Sequence, residues 1–173
     1  MKIFRNKKIL ITGHTGFKGS WLALWLNLLG AKVIGVSNKI ITEPSHYKVI
    51  NLKKEIKEKL INLSNLKKTS DFIVKTEPDF IFHLAAQALV KKSFLNPYET
   101  WISNLNGTLS VLEGLKKLNK KGKKTCTAVL ITSDKVYKNL EIDKAYKEND
   151  LIGDYDPYSA SKASVELLIQ SYV

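Results

Sequence analysis

Cysteine is almost absent from this sequence: Cys126 stands alone, so no internal disulfide can form. It lies in an apolar run, where a buried thiol in a reducing, cytoplasmic setting is the expectation. Arginine is equally scarce, with Arg5 the sole example, so the formal charge of +12, from 28 Lys+Arg against 16 Asp+Glu, is carried by lysine. Nucleic-acid readers usually mix arginine and exposed aromatics into their basic surface, and no recognised binding motif is present. The lysines therefore read as solvated helix faces that also attract an anionic ligand, and no nucleic-acid partner is expected. Long apolar runs are missing too. The run 21–29 falls short of the ~20 residues that span a bilayer, and a glycine turn interrupts the apolar stretch behind Lys2, Arg5, Lys7 and Lys8. Neither a membrane span nor an export signal is expected. His14 and His46 have no metal-ligand spacing with each other or with Cys126, so no metal site is expected. There are no internal repeats and no low-complexity segments.

What is present is a chain of 173 residues, 44% hydrophobic, enough for one good core and hence one domain over 1–173. Apolar runs alternate with helical patterns, which predicts βαβ units and a doubly wound parallel sheet of the α/β class. Strands are expected at 8–12, 32–36, near 59–63, at 79–85 and at 127–132, the last two buried on both faces as central parallel strands are. Helices are expected at 17–29 with Gly30 as C-cap, from 64 to 76, from Asn96-Pro97 to about 118, and from Asp156-Pro157 onward, the chain ending inside this last one. Trp21, Leu22, Trp25, Leu26 and Leu29 keep helical spacing and read as core against the sheet. The basic loop 119–124 is unpatterned, as is the long acidic stretch 138–156.

The turn between the first strand and first helix organises the rest. Gly13-His14-Thr15-Gly16-Phe17-Lys18-Gly19 puts three glycines where the chain must reverse, and only glycine reaches positive φ cheaply. Unpaired N–H groups at the start of the new helix, with its positive dipole end, suit a pyrophosphate. An ordinary tight turn is the alternative. In an open parallel sheet ligands bind outside the carboxyl ends of the strands. Three further such ends gather distinctive residues: Leu84 to Gln87, Thr132 to Tyr137, and the approach to Tyr158. Tyr158 and Lys162, four apart on a helix, share a face, and an ammonium beside a phenol favours the phenolate that a general base needs. A surface tyrosine beside a lysine has the same spacing. Ser133-Asp134-Lys135 adds a hydroxyl, a carboxyl and an amine at the same rim. His83, mid-strand, reads as a buried, hydrogen-bonded histidine.

These residues resemble the extended short-chain dehydrogenase/reductases. The resemblance rests on Thr12 to Gly19, on His83-Leu84-Ala85-Ala86-Gln87, on Asn104-x-x-Gly107-Thr108 and on Tyr158-Ser159-Ala160-Ser161-Lys162. Within that family the runs 13–21 and 132–137 are similar to the CDP-glucose 4,6-dehydratases, with Lys135 the discriminating letter, since dTDP-glucose dehydratases carry glutamate there. The resemblance implies a Rossmann-type three-layer αβα domain binding NAD through Gly13, Thr15, Gly16, Phe17, Gly19, Asn62, Leu63, Leu84, Ala85, Ala86, Thr132, Tyr158 and Lys162. It implies Ser133, Asp134, Lys135, Tyr158 and Lys162 as catalytic residues, and Gln87, Ser133 and Asn104 against a nucleotide-sugar substrate, CDP-glucose. The implied reaction is loss of water from the sugar with internal hydride transfer, giving the 4-keto-6-deoxy sugar. Family members continue into a smaller carboxy-terminal substrate domain, which this sequence lacks. A homodimer through helices 96–118 and 157 onward, or association with a separately encoded carboxy-terminal part, is implied as well. Two positions depart from the family pattern: Asn62 stands where an aspartate usually meets adenine, and Ser37-Asn38-Lys39 lacks the acid that reads a ribose 2′-hydroxyl. A non-catalytic NAD-binding remnant, or another nucleotide-sugar dehydratase or epimerase, are the alternative readings.

Overall fold

The computed structural model describes residues 2–40, 42–120, 122, 125–143 and 145–173. Five strands form one parallel sheet: β1 (Lys8–Thr12), β2 (Lys32–Ser37), β3 (Lys57–Leu60), β4 (Phe80–His83) and β5 (Thr127–Leu130), in the spatial order β3-β2-β1-β4-β5. The first strand is thus central, and the order reverses beside it. Such a reversal opens a crevice above the carboxyl ends of the two strands that flank it. Alternation along β1 sends Ile9 and Ile11 to one face, where they pack with Ala23 and Leu26 of α1 (Phe17–Leu28) and with Tyr47 of the short α2 (His46–Val49). Leu10 faces the other side with Val36 and Ile81, beneath Ile73 of α3 (Leu66–Thr76) and Val111. These two cores make a three-layer αβα sandwich of the Rossmann type.

The helical segment after β4 is more divided than its pattern suggests. It comprises α4 (Val90–Leu95), α5 (Pro97–Trp101), a π-helical turn at Ile102–Asn106 and α6 (Gly107–Lys120). The final helix, α7 (Pro157–Gln170), starts on the Asp156 cap, whose carboxylate accepts the Ser159 N–H at 2.9 Å. It runs to Gln170, with Ser171 as its C-cap. Of the 119–124 loop, residues 121, 123 and 124 lie outside the described residues. The 138–156 stretch folds back on itself, with an antiparallel bridge between Tyr137 and Ile152 and Tyr137 stacked on Tyr146.

Three expectations need correction. Trp21 and Trp25 are half-exposed, at 50% and 52%. The inward face of α1 is Gly19, Ser20, Ala23 and Leu26, small enough for close approach to the sheet, and the tryptophans occupy the outer stripe, where Trp21 stacks on His46. β5 is not buried on both faces: it is the sheet edge among the described strands, and Val129 is 39% exposed. β3 lies at 57–60, two residues ahead of its predicted position, because its register is set by pairing Ser37 of β2 with Leu60.

Candidate active site

Glycine is required at 13 by contact as well as by conformation, and at 19 by contact. Gly13 has φ +79°, and a Cβ there would stand 2.8 Å from the Ala85 backbone nitrogen. A Cβ on Gly19 would lie 2.1 Å from the Gly13 carbonyl oxygen. The turn therefore folds against the first residue of α1's second half-turn and against the β4 rim with no room for side chains. Gly16, the N-cap of α1, has no side chain to occupy the first-turn amides, which is the arrangement that receives an anion.

The turn is fastened from below by a histidine. His14, 0% exposed, lies over Gly35 of β2, where a Cβ would come within 2.4 Å of its ring. Its Nδ1 is 3.0 Å from Ser37 Oγ and its Nε2 3.0 Å from Glu58 Oε2, which also accepts the Tyr47 hydroxyl at 2.7 Å. Burial pushes the Glu58 carboxyl upward, but the hydrogen bonds from His14 and Tyr47 outweigh it and hold the group below its ordinary value. The same causes, burial first and then the Glu58 carboxylate, push the Tyr47 phenol up to about 12. The Thr15 N–H donates to Ser37 Oγ at 3.3 Å and its hydroxyl to the Lys39 carbonyl at 2.9 Å. A cavity of about 500 Å³ opens between Thr15, Asn38, Lys39, Tyr47 and Glu58, beyond the carboxyl end of β2. A second void, of about 10 Å³ under Leu10 and Ile73, is a packing gap inside the core. Glu58 and Tyr47 escaped sequence reasoning, and His14 was weighed there as part of the glycine turn and as a metal ligand, not as its anchor to β2.

At the other end of the crevice α7 is drawn onto the sheet rim. Lys162 is 6% exposed and donates from Nζ to the Ile131 carbonyl at 3.0 Å, just past β5. Burial brings its pKa down to about 8, against a smaller upward pull from Glu166. Tyr158, one helical turn earlier, is buried at 8%. The turn 134–136 packs against α7. Ser133 caps it, its Oγ accepting the Lys135 N–H at 3.2 Å and donating to Asp134 Oδ1 at 3.0 Å, with the Asp134 and Lys135 side chains open to solvent. Ser133, Asp134, Lys135, Tyr158 and Lys162 are thereby gathered at one rim, with Thr132 between β5 and the turn. Leu84, Ala85 and Ala86 form the wall opposite Gly13, half-buried.

Gln87 and Asn104 are engaged with protein groups. The Gln87 amide bonds the Leu89 N–H and carbonyl and the Thr100 hydroxyl. Asn104 Oδ1 accepts the Gln87 N–H at 2.8 Å, and Nδ2 donates to the Gln87 carbonyl and to Ser161 Oγ. Asn104 thereby ties the rim to α7, and Gln87 ties it to α5. Asn62 is exposed, with Oδ1 accepting the Ser64 N–H, while Leu63 belongs to the core under α3. Phe17 is 72% exposed at the mouth of the turn. No group of three or more His, Cys, Asp or Glu that could hold a metal occurs among the described residues.

The sequence that builds this arrangement matches a known family. The model of the GDP-mannose 4,6 dehydratase family matches residues 10–173. The chain belongs to that family. Among curated relatives, a CDP-glucose 4,6-dehydratase of Salmonella typhimurium is 38% identical over 169 residues, covering 98% of this chain and 46% of that protein. A dTDP-D-glucose 4,6-dehydratase of Dictyostelium discoideum is 33% identical, covering 96% and 40%. Among solved structures, an epimerase of Methanothermobacter thermautotrophicus aligns with a TM-score of 0.83 at 26% identity over 99% of this chain and 48% of its own. A Thermus thermophilus UDP-glucose 4-epimerase solved as a complex with NAD aligns at 0.78 and 26% identity, over 95% and 50%. The chain spans about half the length of the curated relatives it matches. No helix among the described residues is long and apolar enough to cross a membrane.

Proposed function

We propose that this chain is the NAD-binding half, residues 1–173, of a lyase that dehydrates a nucleotide sugar, with CDP-glucose as substrate and its 4-keto-6-deoxy derivative as product. The observation that carries the reading is the burial of Lys162 against the Ile131 carbonyl, which brings Tyr158 to the rim that holds Ser133, Asp134 and Lys135. NAD fits the residues present: glycines at 13 and 19 let the turn close against Ala85 and against its own carbonyl, which leaves the α1 amides open to a pyrophosphate, and the cavity beside Thr15 and Asn38, beyond the carboxyl end of β2, would take the ribose. Gly13, Thr15, Gly16, Phe17 and Gly19 would hold the pyrophosphate side, Asn62 and Leu63 the adenine, and Leu84, Ala85, Ala86 and Thr132 the remainder.

When bound, NAD supplies a hydride acceptor that can return what it takes, so the net reaction is loss of water alone. The protein's part is acid–base work. Tyr158 takes the proton of the sugar 4-hydroxyl, and Lys162, whose depressed pKa leaves it readily switched near neutral pH, stabilises the phenolate. Ser133 hydrogen-bonds the sugar oxygen. Once C4 is a ketone its neighbour C5 is acidic; Lys135 takes part in removing that proton, and Asp134 protonates the hydroxyl leaving C6. Gln87 and Asn104 serve the substrate by fixing the rim. The side chains that grip the nucleotide belong to the half of the relatives' length that this chain does not span. The reading places the enzyme in the cytoplasm, where the lone Cys126 stays reduced, and pairs it either with a second copy over Phe94, Tyr98 and Leu167 or with a separately encoded carboxy-terminal part. Phe94, Tyr98 and Leu167 are exposed at 63%, 78% and 57%, which supports such a contact.

The test is NADH binding and CDP-glucose turnover on the purified chain, read as alkaline absorbance of the 4-keto product, with Tyr158→Phe and Lys135→Glu beside it. Turnover lost in Tyr158→Phe supports the reading. NADH binding without turnover rejects catalysis by this chain alone, and no NADH binding rejects the nucleotide site itself.

A further inference from the structure

An unbroken line of buried hydrogen bonds runs from the glycine turn to the helix that carries Tyr158, and its middle member is His83. The ring is 3% exposed. Its Nδ1 lies 2.7 Å from Thr12 Oγ1, the residue before Gly13, and its Nε2 lies 3.0 Å from Thr108 Oγ1. The direction of each bond follows from the neighbours. The Thr108 hydroxyl, with one proton, donates it to the Asn104 carbonyl at 2.7 Å, so from His83 it can only accept. That places the ring proton on Nε2. Nδ1 is then an acceptor for the Thr12 hydroxyl, whose oxygen in turn accepts the Ala85 N–H at 3.2 Å. A second ring proton would leave the Thr12 hydroxyl hydrogen without an acceptor in the line.

Beyond Thr108 the line continues without gaps. The π-helical turn at Ile102–Asn106 sends the Gly107 N–H back to the Ile102 carbonyl, which places Asn104 in a widened turn where its carbonyl receives the Thr108 hydroxyl. Asn104 Nδ2 donates to Ser161 Oγ at 2.9 Å, and Ser161 Oγ donates to the Tyr158 carbonyl at 2.7 Å. Displacing Thr12 or Thr108 therefore moves one end of the site relative to the other.

We propose that His83 is a positioning residue, a neutral imidazole protonated on Nε2 that sets the glycine turn and the Tyr158 helix in register through Thr12 on one side and Thr108, Asn104 and Ser161 on the other. It touches neither reactant. The inference rests on the reading of the turn and Tyr158 as two ends of one redox site. Its own content is the tautomer and the two-sided coupling.

Two substitutions cut the line at different bonds. In His83→Gln the amide reaches the position of Nε2 and keeps a donor toward Thr108, but nothing accepts from Thr12. In His83→Asn the amide sits at the position of Nδ1 and keeps an acceptor for Thr12, but Thr108 is out of reach. A buried hydrogen bond lost with its partner left unsatisfied corresponds to a change of about 10-fold. NADH affinity by fluorescence titration is expected to weaken about 10-fold in His83→Gln and to stay within about 3-fold in His83→Asn. Amide exchange along 158–165 is expected to accelerate about 10-fold in His83→Asn and to change little in His83→Gln. Ring ¹⁵N NMR of the wild-type chain is expected to show the Nε2–H form from pH 6 to 9. An Nδ1–H tautomer, or two variants that shift affinity and exchange together, overturns the proposal. Should either His83 variant fail to fold, Thr108→Val repeats the cut beyond His83 and is expected to match His83→Asn in both readouts; weakened NADH binding there overturns the proposal as well. Failure of the wild-type chain to bind NADH would reject the nucleotide reading, while the tautomer and exchange results would still judge His83.

Discussion

Replacing Lys162 by methionine is expected to stabilise the chain at neutral pH while removing a group that the proposed chemistry needs. The lysine titrates near 8 in the folded protein against 10.5 for an ordinary lysine, chiefly because it is buried. A difference of 2.5 units corresponds to about 3 kcal/mol at 1.36 kcal/mol per unit. The sign follows from proton counts. Below pH 8 both states hold the proton and the folded state bears the full cost of a desolvated ammonium. Between pH 8 and 10.5 the folded chain releases its proton first, so stability rises with pH, and above 10.5 the cost is gone. Methionine has similar length and no charge, but gives up the bond to the Ile131 carbonyl, worth about 1 kcal/mol. The net gain is about 2 kcal/mol at pH 7, or roughly 4–8 °C in Tm for a chain of this size. Thermal unfolding followed by circular dichroism at pH 7, 8.5 and 10 measures it. The reasoning is refuted if Lys162→Met is no more stable than wild type at pH 7, or if the gap between them does not shrink as pH rises.

Four other outcomes are expected. Gly19→Ala drives a Cβ to 2.1 Å from the Gly13 carbonyl, so it should cost about 1–3 kcal/mol in urea unfolding and abolish NADH binding; wild-type affinity in that variant would contradict the cradle. Glu58→Leu strands His14 Nε2 and the Tyr47 hydroxyl and should cost about 2 kcal/mol or more, whereas Glu58→Gln, which can still bond one of them, should lose less; equal urea midpoints would speak against the network. Asp156→Ala removes the α7 cap and should lower stability by about 1 kcal/mol, some 2–4 °C in Tm. His83 has its pKa lowered from 6.5 to about 3, first by burial and then by the Lys162 charge. Its contribution to stability is therefore intact above pH 6.5 and lost as pH falls toward 3, so acid unfolding should be shallower over that window in His83→Gln.

The placements in turn and helix that were legible in the sequence are those whose geometry is local. Gly13 and Gly19 are dictated by one short turn, Asp156 and Pro157 by a helix start, and Tyr158 with Lys162 by a single helical turn. Trp21 and Trp25 misled because helical spacing defines a stripe without saying which stripe faces the sheet; the small residues Gly19, Ser20 and Ala23 won that side. Whether β5 is central or at an edge depends on what pairs with it, which its own apolar letters do not encode. The His14–Glu58 contact joins positions 44 residues apart and needs a glycine at 35 on the intervening strand, a coincidence of three elements. Gln87 and Asn104 were legible as important letters but not as each other's partners.

Because β1 is central, the ligand turn that follows it is finished by chain that comes much later. Ala85 abuts Gly13, and its N–H reaches the Thr12 hydroxyl across 73 positions of sequence. Residues 13–19 alone hold no more than a floppy glycine segment; the cradle exists only after β4 has found β1. Nucleotide capture in a refolding experiment is thus a clock for that long-range pairing. A fluorescence change on adding NADH to refolding chains would time the arrival of the fourth strand rather than the formation of the first helix.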